Sequence, residues 1–241
     1  MPGRRSCVAS AGVQIRFVDI EGAKSISHGV AVVIDVMRAY TVAAWALHAG
    51  AADIVLVDGI DEAVEVAAQT SGALLFKDGA LDERFDLHNS PRQLLDIDVL
   101  GRRIVQRTTA GTRAAVAASS ADVLFCASFV CATSTASTLC ALVPSEVTFV
   151  VSGGLDADED LACAEYIAAI LRGESTDVES FRERARQSAA AVDLERSVAL
   201  GYTGVTDQDV PMCLEIDRFD FAMRVQNDDG LLVLRATVTP I

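Results

Sequence analysis

Aromatic residues are scarce, at 5% of the 241 residues. A core built on Phe, Tyr and Trp is therefore excluded, and the 51% hydrophobic share rests on Val, Ala, Leu and Ile. That composition suits parallel strands buried on both faces beneath helices. Positive charge is also in short supply: 20 Lys and Arg face 34 Asp and Glu, a formal charge of −14. This excludes nucleic acid as a partner, since affinity for it comes largely from neutralising phosphates, and it excludes an anionic membrane surface. An anionic small molecule is compatible only if a local cluster of Arg, Lys, backbone N–H groups or metal overcomes the global field.

Other absences narrow the function further. None of the six cysteines (Cys7, Cys126, Cys131, Cys140, Cys163, Cys213) forms a CxxC pair, and the chain is too long for a disulfide scaffold. Reduced, buried thiols in a cytoplasmic protein are expected. No apolar run follows Arg4 and Arg5, so residues 1–10 do not read as a signal peptide. Residues 123–145 carry no charged side chain, yet they hold many Ser and Thr and include Pro144. They read as strand, turn and helix rather than as a membrane span. There is no GxxxxGK[ST] phosphate loop, no GxGxxG after the first strand, no GxSxG elbow and no Cys-x5-Arg loop. Asp35-Val36-Met37 lacks the second aspartate of a DxD phosphatase.

What is present is alternation. Short apolar runs at 30–36, 54–58, 73–77, 103–107, 123–127 and 147–152 are separated by helical patterns at 41–49, 61–69, 112–119 and 133–142. This predicts βαβ units and a three-layer α/β/α fold with a mainly parallel sheet. After Gly154 the pattern changes. A helix is expected over 158–172, then a charged helical stretch over 177–200 broken near Asp193. Strands at 219–225 and 231–238 flank an Asp228-Asp229-Gly230 turn. A single domain over 1–241 is expected, with subdomains at 1–152 and 153–241, the second helical with a β-hairpin.

In an open parallel sheet, ligands bind beyond the carboxyl ends of the strands. There the sequence offers Asp35 and Arg38 after the first run and Asp86, His88, Asn89, Ser90 and Pro91 after the third. Thr109, Gly111, Thr112 and Arg113 follow the fourth, Ser128 the fifth, and Ser152-Gly153-Gly154 the sixth. Asp35, Asp86 and Asp160 are hard oxygen donors suited to Mg²⁺. Arg38 and Arg113 could clamp a phosphate or sulfonate, and 109–112 enters a helix with N–H groups free for an anion. Each has a structural alternative: Asp35 as a helix cap or partner of Arg38, and Ser90-Pro91 as an ordinary helix start.

Taken together these segments resemble the 2-phosphosulfolactate phosphatase (ComB) family. The family signature D-x-[LM]-R-A-[TS]-[TS] is matched by Asp35, Met37, Arg38, Ala39 and Thr41, with Tyr40 in place of a small residue. F-D-x-x-N-S-P is matched by Phe85, Asp86, Asn89, Ser90 and Pro91, and T-T-x-G-T-[RK] by Thr108, Thr109, Gly111, Thr112 and Arg113. Ser128-Phe129, Glu159-Asp160 with Cys163-Ala164, and Asp209-Val210 with Cys213-Leu214 follow in order. The chain departs from the pattern at Phe76 and Lys77, where the family has Glu and Arg, at Ala110 for Asn, and at Glu165 for Gly.

The resemblance implies a Mg²⁺-dependent phosphoric monoester hydrolase of coenzyme M biosynthesis, acting in the cytoplasm on a small anionic phosphorylated hydroxy acid. Phosphoryl transfer asks a protein mainly for positioning and charge neutralisation. Asp35, with Asp86 or Asp160, would then hold Mg²⁺. Arg38 and Arg113 would stabilise the phosphoryl charge, and Asn89, Ser90, Thr109, Gly111, Thr112 and Ser128 would bind substrate. The alternative is a non-catalytic member that binds an anionic metabolite. A nucleotide-cofactor oxidoreductase is disfavoured by the missing glycines. The oligomeric state is left open, a homodimer among the candidates.

Overall fold

The computed structural model describes residues 12–80 and 82–238. Among them, ten strands form one continuous sheet in the order β1-β8-β2-β7-β9-β10-β3-β6-β4-β5. The strands are β1 (Gln14–Val18), β2 (Val30–Ile34), β3 (Asp53–Val57), β4 (Leu74–Lys77), β5 (Leu87–His88), β6 (Arg103–Arg107), β7 (Val123–Ala127), β8 (Glu146–Val151), β9 (Ala222–Asp228) and β10 (Leu231–Thr237). Helices flank it, giving the expected α/β/α layering: α1 (Ile20–Ala23), α2 (Ala39–His48), α3 (Ile60–Ala68), α4 (Pro91–Leu94), α5 (Gly111–Ala117), α6 (Ala132–Leu142), α7 (Asp158–Leu171), α8 (Val178–Arg186), α9 (Ala189–Ala199) and α10 (Asp209–Cys213).

The central strands are apolar along their whole length because helices cover both faces. In β3, Val55 and Val57 pack with Ala63 and Val66 of α3 on one side, while Ile54 and Leu56 join the large core on the other. Small side chains let α2 lie close to the sheet. Ala43, Ala44 and Ala46 are fully buried, and the low aromatic content is concentrated in buried rings such as Phe125, Phe129 and Phe149.

Two strand blocks are parallel, β1-β8-β2-β7 and β3-β6-β4-β5. The β9–β10 hairpin lies between them and is antiparallel to both neighbours. Three successive antiparallel pairings therefore make the blocks run in opposite senses. The expected hairpin exists, turning at Asp229 and Gly230 with positive φ at both, but it is the middle of the sheet rather than a separate appendage. Twist averages roughly 20–25° per strand step. Over the five steps from β2 to β6 it accumulates beyond a right angle, and the carboxyl end of β6 returns to that of β2. Gln106 of β6 donates to the Ala39 carbonyl at 3.0 Å.

Three expectations are corrected. The charged helical stretch breaks at Gln187 and Ser188 rather than near Asp193, because the Ser188 hydroxyl caps α9 by accepting from Ala191 N–H. The edge strand β1 was not anticipated: it is half exposed, carries Arg16, and lacks the continuous apolar run of a central strand. Cys126, Cys131, Cys163 and Cys213 are free and buried as expected, but half-buried Cys140 is disulfide-bonded. Cys7 lies outside the described residues. No helix among the described residues is long and apolar enough to cross a membrane.

Candidate active site

Asp35 follows β2, and across the β2–β7 ladder its N–H donates to the Ala127 carbonyl at 3.3 Å. The carboxylate is pinned at one oxygen by the Ala39 N–H, 2.8 Å from Oδ1, at the start of α2. Its other oxygen, Oδ2, lies 3.1 Å from the Ser152 hydroxyl beyond β8. The same hydroxyl lies 3.1 Å from Oδ2 of Asp160, which stands in the first turn of α7, where a negative charge is favoured by the helix dipole. Asp160 also accepts from Val36 N–H at 2.7 Å and Gly153 N–H at 3.1 Å. Thus the loops after β2 and β8 and the start of α7 bring two carboxylates to one serine.

Both carboxylates are buried, as is neighbouring Glu159. Burial pushes the Asp35 pKa up to about 6, with backbone and Ser152 hydrogen bonds partly opposing it. Asp160 is pushed well above the ordinary carboxylate range, first by burial and then by the charges of Asp35 and Glu159. Burial also raises Glu159. A serine hydroxyl has one hydrogen and can donate to only one of its two carboxylate neighbours at a time. The second close contact calls for a proton or a cation.

A cavity of about 420 Å³ opens onto this pair, with Asp35, Asp156, Asp158, Glu159, Asp160 and Asp193 in its wall and, among the described residues, no Lys, Arg or His. Glycine is required where the walls are tightest. A Cβ at Gly111 would stand 2.7 Å from both Asp35 Oδ2 and the Ala39 Cβ. The T-T-x-G-T segment thus presses its backbone directly against Asp35. It is held in turn by paired hydrogen bonds between Thr108 and Thr112 (Thr108 N–H to Thr112 Oγ1, 2.8 Å; Thr112 N–H to Thr108 Oγ1, 2.9 Å). Thr109 N–H and hydroxyl both donate to Asp78. Tyr40, at the position where the family has a small residue, donates to the Gly111 carbonyl at 2.7 Å. Its ring therefore ties α2 to the same loop.

Ser128, the residue after β7, is fully buried, and its hydroxyl has no partner among the described residues. The register of β2 and β7 places it beside Asp35.

Three further predicted residues, Arg38, Asn89 and Ser90, lie in a second, distinct node. Arg38 is buried and makes an ion pair with Asp209 at 2.5 Å, also donating to the Gly204 carbonyl at 2.9 Å. Asp209 additionally accepts from the Ser90 hydroxyl, Arg92 N–H, and the N–H and hydroxyl of Thr206. Ser90 is the N-cap of α4 with Pro91 at the first helical position, and buried Asn89 accepts from Gln106 at 2.9 Å. This node joins the loop after β2 to the loop after β5 and to α10.

Two predicted site residues stand elsewhere. Asp86 is exposed, accepts from Leu75 N–H at 2.8 Å, and lines a separate cavity of about 90 Å³ with Lys77, Phe85 and His88. Arg113 is half exposed and pairs with Asp58 at 3.3 Å, because α5 directs its side chain toward the end of β3 rather than toward Arg38. Neither joins Asp35. His88 is buried, with no partner among the described residues on either ring nitrogen. Burial, then the charges of Lys77 and Arg38, hold its pKa below the ordinary histidine value. Phe76 is a fully buried core residue.

The oxygen-only donor set suits a hard divalent cation. Asp35 and Asp160 fit as its carboxylates and Asp86 does not. Among the described residues, no three His, Cys, Asp or Glu side chains form a ready cage. Mg²⁺ commonly takes one or two carboxylates and completes its shell with water and substrate phosphate.

The 2-phosphosulpholactate phosphatase family model matches residues 18–228. A probable 2-phosphosulfolactate phosphatase of Bacillus subtilis (strain 168) is 32% identical over 200 residues, covering 82% of this chain and 87% of its own length. One from Carboxydothermus hydrogenoformans is 32% identical over 235 residues, covering 90% and 94%. One from Thermus thermophilus is 32% identical over 208 residues, covering 78% and 84%. With the family model matched over residues 18–228, the chain belongs to the 2-phosphosulpholactate phosphatase family, a family of phosphoric monoester hydrolases.

Proposed function

We propose that this chain hydrolyses a small phosphorylated hydroxy acid, 2-phosphosulfolactate or a close relative, in a Mg²⁺-dependent reaction in the Asp35–Asp160 cleft. The observation that carries this reading is the wall of the 420 Å³ cavity, with six carboxylates and, among the described residues, no cationic side chain. Such a wall repels a phosphate ester unless a cation stands between them.

Asp35 and Asp160 would hold the ion. When bound, Mg²⁺ would neutralise phosphate charge and orient a water nucleophile. The chain's own groups do the positioning. Ala39 N–H fixes one oxygen of Asp35, and Val36 and Gly153 N–H fix both oxygens of Asp160, so neither carboxylate is free to swing. Gly111 leaves no space behind Asp35. Ser128 offers a hydroxyl with no partner among the described residues beside Asp35. Arg38 is committed to Asp209, so it supports the loop that carries Asp35 instead of clamping substrate.

The test is phosphate release from phosphosulfolactate and other phosphorylated hydroxy acids, by metal-stripped protein with and without added Mg²⁺. Hydrolysis restored by Mg²⁺ is expected. Failure to hydrolyse any of these esters with Mg²⁺, alongside a ligand-induced rise in melting temperature, would favour the non-catalytic metabolite-binding alternative.

A further inference from the structure

Asp35 and Asp160 are not held equally. Both oxygens of Asp160 receive backbone N–H groups, from Val36 to Oδ1 and from Gly153 to Oδ2. Asp35 receives a backbone N–H only at Oδ1, from Ala39. The hydrogen bond to its Oδ2 comes from the side chain of Ser152, and Gly111 packs so close to that oxygen that a Cβ there would stand 2.7 Å from it. Ser152 is itself buried and lies 3.1 Å from both carboxylates. It occupies the first position after β8, whose ladder with β2 fixes how far it stands from Asp35: Ser152 N–H donates to the Ile34 carbonyl at 3.1 Å. The hydroxyl is thus tied by backbone pairing to the strand that carries Asp35, and it stands 3.1 Å from the carboxylate of the helix that carries Asp160.

We infer that Ser152 is the positioning residue of the metal centre, setting the direction of Asp35 Oδ2 and its separation from Asp160. This rests on the reading of the cleft as a Mg²⁺ site and assigns within it a residue to which the family signature gives no role. Ser152 acts through the carboxylates, and its effect is therefore on cation affinity. Outer-shell partners that orient ligating carboxylates typically change metal affinity 10–100-fold on removal. Deleting the hydroxyl would leave Asp160 anchored by two N–H groups and release Asp35 at one oxygen.

The experiment is calorimetric titration of the metal-free full chain with Mg²⁺, and with Mn²⁺ as a spectroscopic probe followed by electron paramagnetic resonance. It compares wild type, Ser152→Ala, Ser152→Cys and Ser152→Thr. Ser152→Ala is expected to weaken binding roughly 10–100-fold. Ser152→Cys keeps the size but donates weakly, and should also weaken it. Ser152→Thr, which keeps the hydroxyl, should bind within a few-fold of wild type. A purely structural serine would lower the melting temperature of the metal-free protein and leave the affinity unchanged. Wild type that binds neither cation overturns the reading of the cleft as a metal centre. Wild type that binds, with Ala and Cys variants binding equally well, overturns the role of Ser152 alone.

Discussion

The loop after β2 serves two buried carboxylate sites, one through Asp35 and one through Arg38, and they are built in opposite ways. Asp209, the partner of Arg38, is fully buried, paired with a guanidinium and supplied with hydrogen bonds from Ser90, Arg92 and Thr206. Asp35 is buried almost as deeply, yet its nearest ionisable neighbours are other acids, Asp160 and Glu159 among them. Burial of a charge is costly unless it is paired and hydrogen-bonded. The first site meets that condition within the protein. The second meets it only through a proton or an added cation. Of two buried aspartates, the one left incompletely compensated is the one to which the proposed reaction assigns the chemistry, in keeping with the trade-off between stability and activity at functional sites.

The sharpest way to break this contrast is Asp35→Asn. With Asp35 holding Mg²⁺ as proposed, the substitution should cost several kcal/mol of transition-state stabilisation, about 10²–10³-fold or more in kcat/KM. The metal-free variant should nevertheless melt higher than wild type at pH 8. The sign follows from the raised pKa. A carboxyl lifted from 3.8 to about 6 in the folded state contributes stability that is present below the unfolded value and is lost as pH rises through about 6. That loss is on the order of 3 kcal/mol, and Asn removes the share that belongs to Asp35. Melting curves of metal-free wild type and variant from pH 4 to 8 check this. An Asn variant no more stable than wild type at pH 8 would mean that Asp35 is compensated as fully as Asp209.

Asp209→Ala should behave in the opposite sense. It strands Arg38 as an unpaired buried charge, a change that typically costs about 3–5 kcal/mol. For a chain of this size, that is a fall of roughly 6–20 °C in Tm. Added Mg²⁺ should not reverse the loss, since the charge left unpaired, the Arg38 guanidinium, is itself a cation. Differential scanning calorimetry decides it, and a drop under about 2 °C would show the node to be dispensable.

Gly111→Ala is a finer probe of the Asp35 side. The added Cβ would stand 2.7 Å from Asp35 Oδ2, so either the carboxylate or the Thr108–Thr112 loop must move. Overpacking of this kind costs about 1–3 kcal/mol, and activity should fall by at least about tenfold, since ångström-scale misplacement in a site can cost more than that. Unchanged steady-state kinetics would show that Asp35 tolerates the shift. The smallest effect belongs to Arg113→Ala. The Arg113–Asp58 pair is half exposed on both sides, and such pairs contribute about 0–1 kcal/mol. Activity within twofold of wild type is expected, and a hundredfold loss would return Arg113 to the site.

Much of this contrast was legible in the sequence, though unevenly. Asp35 stood out because it ends an unbroken apolar run, which marks the carboxyl end of a buried strand. Asp160 was visible as one of several candidate oxygen donors, with Asp86 ranked beside it, and Asp209 only as part of a resemblance. The distinction between their roles depends on which donors the fold delivers from residues far along the chain. Ser152 was seen at a strand end but not recognised as the group between two acids, since its neighbours lie 117 residues away in one case and 8 in the other. Arg113 followed a Gly-Thr loop at the right place in the motif, but the direction in which α5 sends its side chain could not be read from spacing. The Asp228-Asp229-Gly230 turn announced a hairpin and gave no hint of its neighbours, because strand pairing is not encoded in the turn.

The position of that hairpin bears on how the chain is made. Residues 222–237 supply the two strands that stand between the parallel blocks. While the polypeptide is being synthesised, more than nine-tenths of it must emerge before β7 and β3 can be joined, and until then each block has an open, apolar edge. Late closure of long-range pairings of this kind slows folding and prolongs exposure to aggregation. A truncation that removes the hairpin would therefore break the sheet along its midline and leave Asp35 on one block and Gly111 on the other to be held together by contacts such as Tyr40 to the Gly111 carbonyl and Gln106 to the Ala39 carbonyl, although neither residue lies near the cut.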